Sequence, residues 1–479
     1  MFSVRNRSVK MLWENGTLWG FLQVIGKAGF GILVVPLLAS RLSPDKLGLW
    51  YTFAALGSFG IVSDFGLTIL FSRIFAAHNS SGDRRGDTEF NNILNGISEE
   101  SLYFTAFRCF LLAGCITFIF LGFGGLLFLW RGLKISSFEA GCWLLYSGAW
   151  SVSVVGNFWI AYGNGLNQIA IVSRAILYST GLGIFATWLI LAFDSTILAP
   201  VAGFGIVNLA ARILLARNYR FGKIATKGSE VSVELIRRLV PIGWRQALVA
   251  FSGFLIYQGS TIVIGSGIGR SEAATFAMTL QLVLVSGTIS LTFITSKIPT
   301  LVGLRVSGDI EKLRNGSISL IQRTLWTFVF SQTLILLAGG KVAEMLAIRT
   351  PLLEKGPLII LLTSQLLEVF HVSCAMIYGT SNTIRWVWVS VASGVVLVTS
   401  QNVAVGYAGV WGVVCSQFVV QLLLNNWWPP IFLARDQCVG LGRFLRLTIV
   451  GPFVIWTIFC MISIFEWNLI RQSVSRVIR

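Results

Sequence analysis

The stretch Gly66–Ile74 reads GLTILFSRI, and 224 residues later Ser290–Ile298 reads SLTFITSKI. Leu, Thr, Ser and Ile recur at matching places, and Arg73 is answered by Lys297. A pattern kept at nearly half the chain length marks two equivalent halves. Carried back along the chain, the same offset sets Gly57 against Gln281, Asp64 against Thr288 and Thr68 against Thr292. Steps of seven and then four residues place each trio on one face of a helix. The expectation is a pair of helices, each with a small or polar stripe and a cationic end.

The rest of the composition puts these helices in a bilayer. Over 479 residues, 55% are hydrophobic and 12% charged, and the mean hydropathy is +0.76. Apolar runs of about 20 residues, the length that spans a hydrocarbon core, recur from Gly16 almost to the end. They run continuously instead of alternating, which disfavours a transmembrane barrel. The basic N-terminal stretch continues into the apolar run Leu18–Leu42 without a small-residue cleavage site, so it reads as a first span and not as a removed signal peptide. Seven cysteines without a C-x-x-C pair, and two histidines, indicate neither a disulfide framework nor a metal centre. The net charge of +17 is spread among the connections, which argues against a nucleic-acid-binding domain.

Spans are expected at residues 15–40, 48–74, 102–129, 139–162, 169–193, 196–216, 238–264, 272–297, 318–342, 356–379, 384–405 and 408–432, with a thirteenth at 444–466. With a cytoplasmic N-terminus, 24 of the 37 basic residues fall on the cytoplasmic side, as the positive-inside tendency requires. The long polar link at 218–234 then separates an N-terminal six-helix half, 1–217, from a C-terminal six-helix half, 235–435. Residues 436–479 form an additional helix and tail. An even number of helices per half makes the halves parallel. Two weaker internal matches keep the same order: IAYGNGLNQIAIVS (Ile160–Ser173) with MIYGTSNTIRWVWVS (Met376–Ser390), and VAGFGIV near Val201 with YAGVWGVV near Tyr407.

The pattern LLASRLSPDKLGLWYTFAALGSFGIVSDFGLTILFSRIFA (Leu37–Ala76) resembles the first two helices of O-antigen and other polysaccharide flippases of the multidrug/oligosaccharidyl-lipid/polysaccharide (MOP) exporter superfamily. The L-S-P-x-x-L-G turn at Leu42–Gly48 and D-F-G-L at Asp64–Leu67 carry the likeness, and the two-half plan extends it over about residues 10 to 435. It implies an all-α polytopic protein of two parallel six-helix bundles around a central cavity, a MATE-like MOP fold, in a bacterial cytoplasmic membrane. The implied activity is flipping of an undecaprenyl-pyrophosphate-linked oligosaccharide by alternating access. No catalysis and no cofactor beyond a coupling H⁺ or Na⁺ are implied; the partners are the lipid-linked oligosaccharide, membrane lipids and polysaccharide assembly proteins. SRIFA (Ser72–Ala76) is also similar to the cationic end of helix two in the peptidoglycan lipid precursor flippase, which implies a cavity-facing charge. There the motif begins with two arginines, and here Ser72 replaces the first.

A charge within a span costs about 2.5–3.5 kcal/mol on insertion scales and should face protein or a wet cavity. Lys27 and Arg245 are the clearest intramembrane cations, one in the first helix of each half, and Gln23 shares a face with Lys27. They are candidates to hold a pyrophosphate; the plainer alternatives are that Lys27 snorkels or pairs with Asp64, and that Arg245 anchors the interface. Arg73 and Lys297 are either further cavity cations or topological anchors. Asn157, Gln417 and Gln421 are candidates for bonding sugar hydroxyls, against simple interhelical packing. Asp64, Glu368 and His371 are coupling or gating candidates. Ser364, Gln365, Glu368 and His371 form a stripe at helical spacing that must face the interior, for ion coupling or for a buried network. A drug/cation antiporter remains the alternative transporter, and a membrane glycosyltransferase, polymerase or ligase the alternative of another class. The short outer connections and the missing Gly-rich phosphate loop weigh against the last.

Overall fold

The computed structural model describes residues 15–79, 97–219, 230–381 and 385–477. All regular structure among them is helical. The first elements are α1 (Gly16–Arg41), α2 (Pro44–Gly57), α3 (Phe59–Ser63) and α4 (Leu67–Asn79). The L-S-P-x-x-L-G turn is a helix start: the Ser43 hydroxyl accepts from Lys46 N–H at 3.4 Å, Pro44 sits in the first turn, and Asp45 adds an acid beside the helix's positive end. Next come α5 (Glu99–Thr117), a π-helical segment Phe118–Gly124, α6 (Gly125–Leu133), α7 (Ser137–Gly165), α8 (Ile169–Phe193) and α9 (Leu198–Asn218). A reciprocal capping box of Ser136 and Glu139 starts α7. The long α10 (Val233–Gly267) follows, then α11 (Arg270–Thr295), α12 (Ile298–Val306), α13 (Ile310–Met345), α14 (Lys355–Tyr378), α15 (Val387–Val420), α16 (Trp428–Asp436), α17 (Leu441–Thr448) and α18 (Val450–Val477).

Helices stand at all thirteen expected positions. Among the described residues nine are long and apolar enough to cross a membrane, or ten if the bent pair α17 and α18 is one span. One of the nine, Val387–Asp436, runs for 50 residues. At ~1.5 Å per residue it would be about 75 Å long, against a hydrocarbon core of ~30 Å, so it must hold two spans. The division is at Gly409, whose φ of 56° and ψ of −135° interrupt the helix. That glycine lies in the YAGVWGVV match, where the twelfth helix was expected to begin. The chain is a multi-pass membrane protein.

The described chain divides into two compact units, residues 1–254 and 255–479. The division falls within α10, whose start packs Leu235 and Leu239 against Leu70, Phe71 and Leu102 of the first unit. In the first unit Phe71, Phe75, Phe110 and Phe158 form a fully buried aromatic centre. The second unit has its own core around Phe276, Phe328, Leu361, Leu366, Phe370 and Phe444. A paired fork from Arg305 to Asp436, with N–O distances of 3.0 and 2.7 Å, ties the ends of α12 and α16 within that unit.

Two expectations change. The Gly57, Asp64 and Thr68 face does not exist on one continuous helix, because Phe65 and Gly66 take φ of 48° and 71° and break the chain between α3 and α4. The thirteenth span also begins later: residues 441–448 form a separate helix bent by 52° from α18. Arg443 and Arg446 make that segment amphipathic and unfit for the hydrocarbon.

Gly66→Ala should lower thermal stability by roughly 1–2 kcal/mol, the usual strain of a left-handed non-glycine residue. Gly181→Ala, mid-helix in α8 with open space around the added carbon, should be neutral or stabilising by up to about 1 kcal/mol. Thermal unfolding of both variants in one detergent makes the comparison.

Candidate functional site

The break between α3 and α4 positions an acid. Asp64 Oδ2 accepts from the Thr68 N–H at 3.2 Å and Oδ1 from the Thr68 hydroxyl at 2.8 Å, so the carboxylate satisfies one of the free N–H groups in the first turn of α4. Asn157 on α7 donates its Nδ2 to the same Oδ1 at 3.2 Å, and its Oδ1 accepts from Arg212 Nη2 of α9 at 2.9 Å. The same guanidinium nitrogen reaches the Ser153 hydroxyl at 2.8 Å and the Ser153 carbonyl at 3.3 Å. An anion and a cation are thereby joined through one neutral amide. The bonds that involve a charged partner each contribute about 1.5–3 kcal/mol. Gly156 makes the arrangement possible: a Cβ there would lie 1.9 Å from Arg212 Cγ.

In the second unit the polar stripe of α14 faces inward as expected, with Ser364, Gln365, Glu368 and His371 all buried. The Tyr257 hydroxyl of α10 donates to Glu368 Oε1. Glu368 Oε2 and His371 Nδ1 are buried and have no hydrogen-bond partner among the described residues. Beside this stripe, Ser260 accepts from Gln401 Nε2 at 2.8 Å and lies 3.5 Å from the Gln417 Oε1 to which it donates. Gln401 also reaches the Val413 carbonyl at 3.3 Å, across the Gly409 break.

Of the residues expected from sequence, Asp64 and Asn157 come together. Asn157 bonds other side chains of its own unit, and Gln417 is likewise tied to Ser260. Gln421 is buried in the π-helical turn Gln421–Asn425 with Oε1 unpartnered among the described residues. Gln23 is half-buried on α1. Arg73 and Lys297 are both exposed, and neither side chain has a hydrogen-bonded or ionic partner among the described residues. The side chains of Lys27 and Arg245 lie outside the described residues. Glu368 and His371 share the inner face of α14. Residues not singled out by sequence are Ser153, Gly156, Tyr257 and Gln401; Arg212, like Arg41 and Arg174, reads from sequence as a cation that an ordinary interface position explains. Its position five residues inside Arg217 was the available signal. The first unit also holds a cavity of about 330 Å³ lined by Phe65, Leu70, Phe71, Leu112, Ile236 and Trp244 among others. Its walls are almost wholly apolar.

No family model matches the chain, and no curated protein matches it. Solved structures do. An inward-facing multidrug resistance MATE family transporter of the MOP superfamily superposes with a TM-score of 0.64 at 15% identity, covering 87% of this chain and 96% of the other. The lipid II flippase MurJ, in an inward closed conformation, gives 0.51 at 13% identity, covering 94% and 99%. A MOP superfamily transporter from Pyrococcus furiosus, whose binding pocket of reverse polarity suggests a different function, gives 0.51 at 15% identity, covering 88% and 97%. The chain has the MOP fold along most of its length.

Gly156→Ala should displace Arg212 and destabilise the protein by about 1–3 kcal/mol. In the double variant with Arg212→Ala the clash is gone, so the combined loss should fall short of the sum of the single losses by at least about 0.5 kcal/mol. Additive losses in thermal unfolding would remove the packing explanation.

Proposed function

We propose that this chain is a transporter that carries an anionic lipid-linked oligosaccharide, such as an undecaprenyl-pyrophosphate-linked polysaccharide repeat unit, across the bacterial cytoplasmic membrane by alternating access, with its N-terminus in the cytoplasm. The observation that carries the reading is the repeat-matched pair Arg73 and Lys297, two exposed cations without partners among the described residues. An exposed unpaired cation is ready to bond a pyrophosphate, whereas Arg212 is already committed to Ser153 and Asn157. The fold adds support, since it is shared with a lipid II flippase as well as with drug transporters. Pocket polarity separates functions within it, as reported for the Pyrococcus transporter. Lys27 and Arg245 are further candidate cations for the cargo, and Gln23 a candidate hydrogen-bonding group.

Coupling falls more naturally to Glu368 than to Asp64. Both oxygens of Asp64 accept hydrogen bonds, so a proton there displaces or inverts one of them. Glu368 Oε2 is unpartnered among the described residues and can take a proton or face a Na⁺ without breaking the bond from Tyr257. His371, one turn on, belongs to the same candidate group. This buried acid is also the observation that favours a cation antiporter as the second reading.

The test is transport by protein reconstituted in vesicles, with a fluorescent undecaprenyl-pyrophosphate oligosaccharide as cargo and cationic dyes as controls. Arg73→Gln, Lys297→Gln, Lys27→Ala and Arg245→Ala should each lower glycan transport by about tenfold, the worth of one charge-assisted bond, while Arg73→Lys keeps most of it. Transport of the dyes and not of the glycan would establish the antiporter reading instead. If an imposed pH or Na⁺ gradient drives transport, Glu368→Gln should abolish the response and Asp64→Asn should retain it. A response that survives in Glu368→Gln excludes Glu368 as the coupling group.

A further inference from the structure

After Asp436 the chain carries five arginines and a single acid, Glu466. Two of the five stand on α17, LGRFLRLT. Arg443 and Arg446 are three residues apart on one face of this helix, both exposed, while Phe444 and Thr448 on the other face are only 0% and 1% exposed. Phe444 packs on Phe370 with ring centroids 6.4 Å apart. The Gln322 amide of α13 donates to the Leu447 carbonyl at 2.6 Å, fixing the last turn of α17 to α13. Arg323, the next residue of α13, is exposed. Leu441 and Leu447 lie exposed on α17 beside the arginines, and the helix turns away from α18 by 52°. A short helix held on one side, off the line of the adjoining span, with leucines next to arginines, is built to lie in the membrane interface: the aliphatic groups dip toward the hydrocarbon and the cations stay at headgroup depth.

Arg443, Arg446 and Arg323 have no carboxylate partner among the described residues. Arg305, by contrast, is neutralised by Asp436 a few residues before α17. Unpaired guanidinium groups present planar forks of N–H donors that match phosphate oxygens, and a lipid phosphate is the anion present at that depth. We propose that α17 is a docking site for an anionic phospholipid headgroup, with Arg443 and Arg446 bonding its phosphate and Arg323 adding charge from α13. The proposal needs only the membrane fold and is independent of the cargo, so its failure and that of the flippase reading are separable.

The experiment uses the full chain reconstituted with photoactivatable phosphatidylglycerol or photoactivatable phosphatidylcholine, the crosslinked peptides being mapped by mass spectrometry. Phosphatidylglycerol should crosslink to residues 437–448 in preference to phosphatidylcholine. Arg443→Gln with Arg446→Gln should lower that crosslinking by on the order of tenfold, as expected for two interfacial cations. Arg443→Lys with Arg446→Lys, which keeps the charge and guards against a folding defect, should retain most of it, and Lys341→Gln should have no effect. Excess inorganic phosphate should not compete, since the ligand is held by the bilayer as well as by the arginines. Equal labelling by the two lipids, or labelling unchanged in the double Gln variant, would show that the arginines only hold topology and overturn the site. Displacement by inorganic phosphate would show a free-anion site and overturn the headgroup assignment.

Discussion

A polar group carried into hydrocarbon must be satisfied by the protein itself, and the arrangement of both units follows from how that demand is met. In the first unit the chain breaks a span at Phe65 and Gly66, which frees N–H groups at the start of α4. The Asp64 carboxylate takes that of Thr68 and its backbone carbonyl that of Leu67, but this places a half-buried carboxylate against the unit's other helices. Asn157 and Arg212 then answer the carboxylate, and Gly156 gives the Arg212 stem its room. One local break thus sets residues on two further elements, α7 and α9.

The same reasoning explains where the internal repeat loses its symmetry. Thr288, the partner of Asp64, lies in the unbroken α11 and returns its hydroxyl to the Leu284 carbonyl at 2.9 Å. With no break there is no set of freed N–H groups, and no acid is required. The second unit instead breaks its chain at Ser296–Lys297 before Pro299, and again at Gly409. Its buried acid, Glu368, is on α14 and meets Tyr257 of α10. The half-buried Asp64 and the buried Glu368 stand on elements that do not correspond. The repeat preserved helix positions, and the polar interiors diverged.

The fold was legible because it rests on runs of about 20 apolar residues, a signal independent of side-chain packing. The internal matches were equally readable: IAYGNGLNQIAIVS and its counterpart both sit at helix ends, α7 at Gly165 and α14 at Tyr378. The inward face of α14 was legible from spacing alone. The break at Asp64 was not read as such, although D-F-G-L contains both the cap and the glycine, because a seven-and-four spacing looks the same whether or not the helix is continuous. Arg212 was ranked below the other cations for a related reason. A cation near a helix end suggests the interface, and only tertiary contact with Ser153 and Asn157 shows that it turns inward.

Satisfaction of polar groups also sorts the candidates by what they are free to do. Asn157 bridges two charges through both ends of its amide, and Gln417 Oε1 accepts from Ser260; a sugar hydroxyl could take the place of either partner only by replacing a bond already made, so the net gain there would be small. Arg73 and Lys297 have no such bond to exchange among the described residues, and a phosphate gains the full charge-assisted interaction against water alone. The repeat therefore conserves charge at the two places where a side chain remains available, and varies it where the side chain is consumed by the fold. Exposed cations need no partner from the fold, whereas each buried network has to be solved separately within its own unit, and that difference accounts for the division.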